Sequence, residues 1–132
     1  MKESFTLKGT FPASPEQIYQ TWLNSESHAA MTSGGADISD RLGASFSARN
    51  GYIGGQNLEL TPPHEIVQSW RTVEFSVEDE DSKLIIRLKA IEEGTELPLI
   101  HENIPSGQTQ YKQGWGDNYF IPMQSYFERL NV

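Results

Sequence analysis

The stretch TQYKQGWGDNYFIPMQSYFERL, residues 109–130, decides how the chain folds. Large apolar side chains recur in it at steps of four, four, four, three and four, which is the spacing of one helical face. These residues are Tyr111, Trp115, Tyr119, Met123, Tyr126 and Leu130, and Phe120 and Phe127 widen the stripe on one side. A face this large and aromatic is unstable in water, so it predicts packing against a broad apolar surface.

Three residues of the same stretch weaken a straight helix. Gly114 and Gly116 each cost roughly 1 kcal/mol relative to alanine inside a helix. Pro122 lacks a backbone N–H and its ring clashes with the preceding turn, so it should kink the helix near residues 118–120. We therefore predict a long C-terminal helix that is bent and is stabilised by packing.

Composition narrows the class of protein. The chain has 132 residues, which predicts one domain over residues 1–132, and it has no cysteine for disulfides or thiolate metal sites. The formal charge of −8 disfavours nucleic acids and anionic membranes. It suits a partner with a basic surface, but it is also the ordinary acidity of a soluble domain. The N-terminal KESFTLKG lacks the apolar run of a signal peptide, and no stretch is long enough to span a membrane, so we expect a cytoplasmic protein.

The N-terminal part of the chain predicts a strand followed by two short helices. Residues 4–11 alternate between apolar and polar side chains, as a half-buried strand does. Ser14-Pro15-Glu16-Gln17 is a helix start, because it offers a serine cap, a proline at the first helical position and a glutamine three residues after the cap. A second helix should begin at Ser25 or Ser27, and Ser33-Gly34-Gly35 should end it.

From residue 41 onward the sequence predicts about six antiparallel strands. Asn50-Gly51 is a strong hairpin signal, and Gly54-Gly55 in the next strand indicates a bulge or a close backbone approach. Alternation assigns these residues to inward-facing positions: Phe46, Gln56, Leu58, Leu60, Ile66, Gln68, Trp70, Leu84, Ile86, Leu88, Ala90, Leu97, Leu99 and His101. The predicted fold class is α+β, a curved antiparallel sheet of about six or seven strands around the long C-terminal helix, with two short helices after the first strand.

This order of elements and several short motifs resemble a known family. The motifs are Ser14-Pro15-Glu16-Gln17-Ile18-Tyr19, Asn50-Gly51 followed by Ile53-Gly54-Gly55, His64-Glu65-Ile66-Val67-Gln68-Ser69-Trp70-Arg71, Gly94-Thr95-Glu96-Leu97, Ile104-Pro105, and Gln113-Gly114-Trp115 with Tyr119-Phe120. The order is similar to the START-like helix-grip (SRPBCC) superfamily. Within it, residues 11–127 resemble the C-terminal domain of the activator of the ninety-kilodalton heat-shock chaperone ATPase (the AHSA-like family) and its single-domain bacterial relatives.

The resemblance implies a non-catalytic domain that is associated with a heat-shock chaperone or with stress. In the eukaryotic co-chaperone, a separate N-terminal domain is essential for activating the ATPase, and the C-terminal domain assists by docking on the chaperone. The 132 residues leave no room for that N-terminal domain. The wider superfamily mostly binds apolar small molecules between helix and sheet, which is the alternative function. We expect no enzymatic activity, no cofactor, and a monomer or weak dimer.

Three polar residues on inward-facing positions are candidates for a cavity: Gln56, Gln68 and His101. In a solid core each needs a hydrogen-bond partner or costs about 1–3 kcal/mol. They line a wet pocket, or they lie at strand ends where inward residues reach water. The candidate ligand-binding set is completed by Phe46, Trp70, Trp115, Tyr119 and Met123. A ligand binder should have a continuous cavity of roughly 300 Å³ or more, whereas Trp70, Trp115 and Met123 should fill that space in a pure interaction domain.

No other pattern in the sequence predicts a catalytic or metal centre. His28, His64 and His101 are the histidines of the chain, and their predicted places on a helix, a turn and a strand give no reason for them to converge. No serine lies in a Gly-x-Ser-x-Gly context. The acidic run Glu78-Asp79-Glu80-Asp81 predicts a solvated hairpin tip or, alternatively, a contact for a basic partner. Arg71 is expected on the outer face of the sheet.

Overall fold

The computed structural model describes residues 2–131 and shows the predicted α+β class. Within these residues seven strands form one curved antiparallel sheet: β1 (Glu3–Phe11), β2 (Ser45–Ala48), β3 (Ile53–Thr61), β4 (Glu65–Thr72), β5 (Ser82–Arg87), β6 (Lys89–Ile91) and β7 (Gly94–Ile104). The helices are α1 (Pro15–Trp22), α2 (Ser25–Thr32), α3 (Tyr111–Trp115) and α4 (Ile121–Leu130), with a π-helical segment (Gly116–Phe120) between the last two. No helix in this part of the chain is long and apolar enough to cross a membrane.

The strand order in the sheet is β1-β7-β5-β4-β3-β2, and β6 also pairs with β7. The first strand therefore lies beside the last one, and Phe11 pairs with Thr95. As predicted, β1 alternates between half-buried and exposed residues until Phe11, which is buried. Because each strand pairs with a neighbour on at least one side, the sheet gives the helices a continuous apolar face to pack on.

The two short helices begin close to where the sequence predicts. Ser14 caps α1, since its hydroxyl accepts a hydrogen bond from the N–H of Gln17 at 3.1 Å. The cap of α2 differs from the prediction, because Asn24 and not a serine accepts the N–H of Ser27, at 3.0 Å. The helix ends at Thr32 and is capped by Ser33, which has a left-handed φ of 63°.

Where the sequence predicts a kink, the C-terminal helix (α3, the π-helical segment and α4) has a π-helical turn. The N–H of Ile121 bonds to the carbonyl of Gly116, five residues back. The backbone stays right-handed helical at both junctions, so the helix is continuous. Pro122 has no N–H to offer to the carbonyl four residues back, which is that of Asn118. The missing N–H of Pro122 therefore lies where the backbone hydrogen bonds change from spanning four residues to spanning five.

The π-helical turn also decides which residues the helix buries. The buried residues are spaced by four throughout: Tyr111, Trp115, Tyr119, Met123 and Phe127. In a uniform α-helix, residues four positions apart differ by about 40° in direction around the helix axis, so a stripe spaced by four slowly turns away from the sheet. A π turn contains an extra residue, which reduces this rotation. The sequence prediction was wrong about the end of this stripe. Tyr126 is only half-buried and Leu130 is 51% exposed.

The predicted facing of β3 was wrong for Gln56, which is exposed, whereas Asn57 is buried. The register of β3 on β4 shifts between Asn57 and Glu59. The inward and outward positions that hold after the shift are therefore exchanged before it. The close backbone approach predicted for the glycine pair is present. A Cβ atom on Gly55 would lie 1.9 Å from the carbonyl oxygen of Ser69.

Two further inward predictions fail at similar irregularities. Leu58 lies within the register shift and is 43% exposed. Ala90 is exposed because it follows the break between β5 and β6 at Leu88, whose N–H bonds to the carbonyl of His64. Leu60 is half-buried, and Gln68 and His101 are buried polar residues. The other residues predicted to face inward are buried and form the apolar side of the sheet: Phe46, Ile66, Trp70, Leu84, Ile86, Leu88, Leu97 and Leu99.

Candidate functional site

The C-terminal helix and the sheet leave a pocket of about 180 Å³ beside the turn between β2 and β3. Its floor is made of buried residues: Ile53, Trp70, Tyr111, Trp115 and Tyr119. Its rim is made of exposed or half-exposed residues: Arg49, Tyr52, Gln110, Gly114 and Asn118. The C-terminal helix contributes three pairs of neighbouring residues, four positions apart: Gln110 and Tyr111, Gly114 and Trp115, and Asn118 and Tyr119. One side of this helix therefore forms a wall of the pocket. We call this site the Arg49 pocket.

The predicted hairpin between β2 and β3 is present and holds Arg49 at the rim. Arg49, Asn50 and Gly51 have left-handed φ values of 53°, 59° and 90°, in the loop that joins Ala48 to its strand partner Ile53. The guanidinium of Arg49 donates to the carbonyl of Thr32 at 3.1 Å and to Oδ1 of Asn118 at 3.4 Å. The charge therefore connects α2 with the π-helical segment at the mouth of the pocket.

A buried histidine supports the pocket floor from α2. Nδ1 of His28 lies 2.8 Å from the carbonyl of Trp22, and since a carbonyl only accepts, Nδ1 carries the proton. Nε2 then accepts the hydroxyl of Tyr119 at 2.8 Å. Burial lowers the pKa of His28 and raises the pKa of Tyr119, because neither charged form is solvated there. The pair is neutral and fixes the orientation of the Tyr119 ring.

The second buried histidine, His101, has the opposite tautomer. The indole N–H of Trp115 can only donate, and it bonds to Nδ1 of His101 at 3.0 Å. The proton is therefore on Nε2, which lies 2.8 Å from Oγ of Ser82. The Ser82 hydroxyl in turn donates to the carbonyl of Trp70 at 2.6 Å. Burial lowers the pKa of His101 to about 3, so the ring stays neutral and locks Trp115 in place.

Hydrogen bonds also orient the two tyrosines on the β4 side of the pocket. The hydroxyl of Tyr111 donates to Oε1 of Gln108 at 2.6 Å and accepts from Thr72 at 2.7 Å. The hydroxyl of Tyr52 donates to the carboxylate of Glu74. Burial raises the pKa of Tyr111, which keeps its ring neutral. The polar ends of the aromatic lining are thus bonded within the protein, and the ring faces are left for contacts inside the pocket.

Three of the eight predicted cavity residues line the Arg49 pocket: Trp70, Trp115 and Tyr119. The pocket is smaller than the roughly 300 Å³ expected of a site for a drug-sized ligand. Trp70, Trp115 and Met123 are all buried between the helix and the sheet, 3%, 3% and 0% exposed. Gln56 points to the outer side of the sheet and lies away from this pocket.

The remaining predicted cavity residues are buried in the packed core outside the pocket lining. Gln68 donates to Oδ1 of Asn57 at 2.9 Å, while its Oε1 has no partner among the described residues. His101 is fully buried and hydrogen-bonded on both ring nitrogens. Phe46 and Met123 are buried apolar residues. The inward polar side chains thus largely satisfy one another, as residues of a solid core do.

Arg71 lies outside the pocket, as predicted, and it organises the acidic loop. Its guanidinium pairs with the Asp81 carboxylate at 2.7 Å and donates to the carbonyls of Asp79 and Ser76. The carboxylate of Asp79 accepts the N–H of Ser76 at 2.9 Å. Half of the acidic run is therefore engaged within the loop, and Glu78 and Glu80 remain exposed.

A second concave surface lies along the outer side of α1. Two adjoining hollows of about 590 and 470 Å³ share Tyr19, Gln20 and Asp40. Their lining includes the carboxylates of Glu16 and Glu26, and the described residues that line them include no lysine or arginine. Apolar side chains lie between the charges: Leu23, Ile38, Leu42, Leu60, Pro62 and Pro63. We call this surface the acidic groove.

Reasoning from the sequence missed Arg49 and His28, which hold the rim and the floor of the pocket. Each acts through a partner far away in the chain, since His28 bonds to Tyr119 91 positions later and Arg49 to Asn118 69 positions later. No local signal pointed to Arg49, because Asn50-Gly51 are the expected central residues of the turn and the left-handed φ of Arg49 is seen only in the structure.

Comparison with known proteins assigns the chain to a family. The profile described as "Activator of Hsp90 ATPase homolog 1-like protein" matches residues 12–128. The chain belongs to this family. A human family member, "Activator of 90 kDa heat shock protein ATPase homolog 1", is 31% identical over 125 residues, which cover 92% of this chain and 36% of the human protein. The chain thus spans about a third of the length of that curated relative.

Solved structures share the fold. An HSP90 activator from Plasmodium falciparum superposes with a TM-score of 0.79 at 24% identity, covering 89% of this chain and 90% of that one. The Aha1 dimer from Colwellia psychrerythraea gives a TM-score of 0.78 at 15% identity, covering 98% and 97%. At these identities the likeness shows the START-like helix-grip fold alone, and it agrees with the fold that the sequence predicts.

Proposed function

We propose that this chain is a docking domain for a ninety-kilodalton heat-shock chaperone, which assists the chaperone's ATPase and catalyses no reaction itself. The observation that carries the proposal is the family match over residues 12–128, together with 31% identity to a human protein named as an activator of that ATPase. The relatives are longer, so the contribution of this segment is a proposal about docking and not about full activation.

The interior of the domain supports an interaction role. Trp70, Trp115 and Met123 are buried between the helix and the sheet and fill the space there. The remaining pocket of about 180 Å³ is smaller than a site for a drug-sized molecule. A domain with a filled interior acts mainly through its surface.

We infer that the acidic groove is the docking face. It is concave, it contains Glu16, Glu26 and Asp40, and its lining includes the exposed side chain of Leu42, which is 69% exposed. Carboxylates around apolar contacts favour a partner surface that carries lysine or arginine beside apolar residues. The charge of −8 should speed the encounter with such a surface and make it sensitive to salt.

The test is a binding titration of a purified ninety-kilodalton chaperone, with and without ATP, into ¹⁵N-labelled protein. Asp40→Lys reverses a charge in the centre of the groove, where the side chain is exposed. Glu78→Lys makes the same change of charge on the loop at the opposite end of β4 and serves as the matched control. We expect Asp40→Lys to weaken binding about tenfold or more and Glu78→Lys to change it little.

The same titration can contradict the proposal. If the wild-type protein neither binds the chaperone nor changes its ATPase rate, the docking function is wrong. If Asp40→Lys and Glu78→Lys weaken binding equally, only the net charge matters and the groove is not the docking face. If Glu78→Lys has the larger effect, the exposed part of the acidic loop is the contact surface.

A further inference from the structure

We propose that the Arg49 pocket binds a small organic acid with one aromatic ring, a benzoate-like carboxylate. Neither the family nor its relatives' names assign a ligand to this place. The proposal is independent of chaperone docking, because the pocket lies between the C-terminal helix and the β2–β3 turn, whereas the acidic groove lies along α1.

The size of the pocket sets the size of the ligand. A cavity of about 150 Å³ is known to hold benzene, and drug-sized ligands need roughly 300 Å³ or more. At about 180 Å³ the Arg49 pocket fits one ring with a small substituent. A sterol, a lipid chain or a multi-ring compound would need Trp70 or Trp115 to leave the core.

The lining of the pocket favours an aromatic ring. Five aromatic side chains contribute to it: Tyr52, Trp70, Tyr111, Trp115 and Tyr119. Ring centroids of neighbouring members lie 4.7 to 5.6 Å apart, as in the pairs Trp115–Tyr119, Trp70–Tyr111 and Trp70–Trp115. Tilted and edge-on rings at these distances offer both faces and edges to an inserted ring, which is the arrangement that aromatic pairs prefer.

Arg49 favours a carboxylate on that ring. The ion pairs of the described residues are Lys8–Glu96, Arg71–Asp81 and Arg87–Glu65, and Arg49 is in none of them. Its guanidinium has five N–H donors, of which two bond to Thr32 and Asn118, so three remain for an anion. A planar guanidinium at the mouth of an apolar pocket suits two parallel hydrogen bonds to a carboxylate.

The surroundings of Arg49 are built in advance of binding. Its left-handed backbone is unfavourable for a residue with a side chain. The turn is tied to the loop after α2, since Gly35 donates to Oδ1 of Asn50 at 2.8 Å and Asn50 donates to the carbonyl of Gly35 at 3.0 Å. Strain of this kind concentrates at binding sites, and a fixed guanidinium loses little freedom when a ligand arrives. Glu74, a carboxylate near this rim, is bonded to Tyr52.

The test is a titration of the full chain with sodium benzoate, followed by calorimetry, by ¹⁵N NMR shifts and by tryptophan fluorescence. Benzamide has the same shape without the charge and is the matched ligand control. We expect benzoate to bind at least tenfold more tightly than benzamide and to shift the amide signals of Gly114 and Asn118. The proposal is overturned if benzoate does not bind at millimolar concentration, or if benzamide binds equally well.

Two variants place the binding at this pocket. Arg49→Asn removes the charge and suits the left-handed backbone, so folding should be retained, and benzoate binding should fall at least tenfold. Gly114→Leu puts a side chain into the pocket from a helical position where an added Cβ meets only Asn118, at 3.8 Å, and it should abolish binding of both ligands. Arg41→Asn removes the same charge from an exposed loop position and should leave binding unchanged. Unchanged benzoate affinity in either pocket variant would overturn the assignment.

Discussion

One stripe of buried residues runs through both halves of the C-terminal helix, but the residues of the two halves make different contacts. In the first half, Tyr111, Trp115 and Tyr119 each use a polar atom in a hydrogen bond to the sheet or to α2. In the second half, Met123 and Phe127 are fully buried and purely apolar. The second half therefore contributes mainly stability, whereas the first half holds aromatic rings in fixed orientations around a pocket.

The largest effect should come from the apolar half. Phe127→Ala removes a fully buried ring whose centroid lies 6.5 Å from that of Phe11, and it should lower the free energy of unfolding by about 3–5 kcal/mol. Urea denaturation followed by circular dichroism measures the change. Leu130→Ala, at a position that is 51% exposed, is the control and should change stability by less than about 0.5 kcal/mol. Equal losses for the two variants would contradict the stabilising role given to the buried residues of the second half.

Low pH should destabilise the protein through the histidines that bond to the first half of the helix. The folded protein keeps His101 neutral down to a pKa of about 3, while the unfolded chain takes up a proton near pH 6.5. Below pH 6.5 the unfolded state therefore binds more protons, and the free energy of unfolding falls as the pH drops from 6.5 towards 3. At pH 5 the loss relative to pH 7 should be about 2 kcal/mol from this residue. His28 shifts in the same direction and adds to it.

The acid prediction is checked by urea denaturation across this pH range, with NMR of the imidazole nitrogens. The NMR should show His101 protonated on Nε2 and His28 on Nδ1 at pH 7. A His101 ring that becomes charged near pH 6 in the folded protein would contradict the prediction.

A single hydroxyl tests the link between α2 and the pocket floor. Tyr119→Phe removes the donor to Nε2 of His28 and leaves a buried acceptor without a partner, so it should cost about 1–2 kcal/mol. Tyr126→Phe is the matched control, because Tyr126 is half-buried and its hydroxyl has no hydrogen bond to the described residues. Thermal unfolding compares the two variants. A cost for Tyr126→Phe as large as that for Tyr119→Phe would argue against the role of the histidine contact.

The smallest effect should be a gain. Gly114→Ala adds a methyl group where an ordinary contact at 3.8 Å is the nearest neighbour, and it should stabilise the protein by about 0.5–1 kcal/mol through helix propensity. Gly107→Ala is a control of opposite sign, since its φ of +87° disfavours a side chain. Thermal unfolding should therefore move in opposite directions for the two alanines. A loss of stability in Gly114→Ala would mean that the pocket wall is more crowded than described.

The sequence predicts those features that local chemistry decides. The serine cap of α1, the hairpin at Asn50 and the four-residue stripe up to Met123 follow from periodicity and turn chemistry. The facing of Gln56 could not be predicted, because a one-residue register shift inverts every side chain before it and leaves no compositional mark. The pocket could be predicted only in its aromatic part. Its polar rim depends on contacts between residues that are far apart in the chain, as that of Arg49 with Asn118 does.

The place of β1 beside β7 has a consequence for how the chain folds. Strands β2 to β5 are paired with neighbours close in sequence, so they can assemble as soon as they are synthesised. The first strand must wait for the last, since its Phe11 pairs with Thr95 of β7. Long-range pairing of this kind slows folding and leaves an unpaired strand exposed in the meantime. During synthesis the N-terminal strand is therefore the segment most open to aggregation until β7 has emerged.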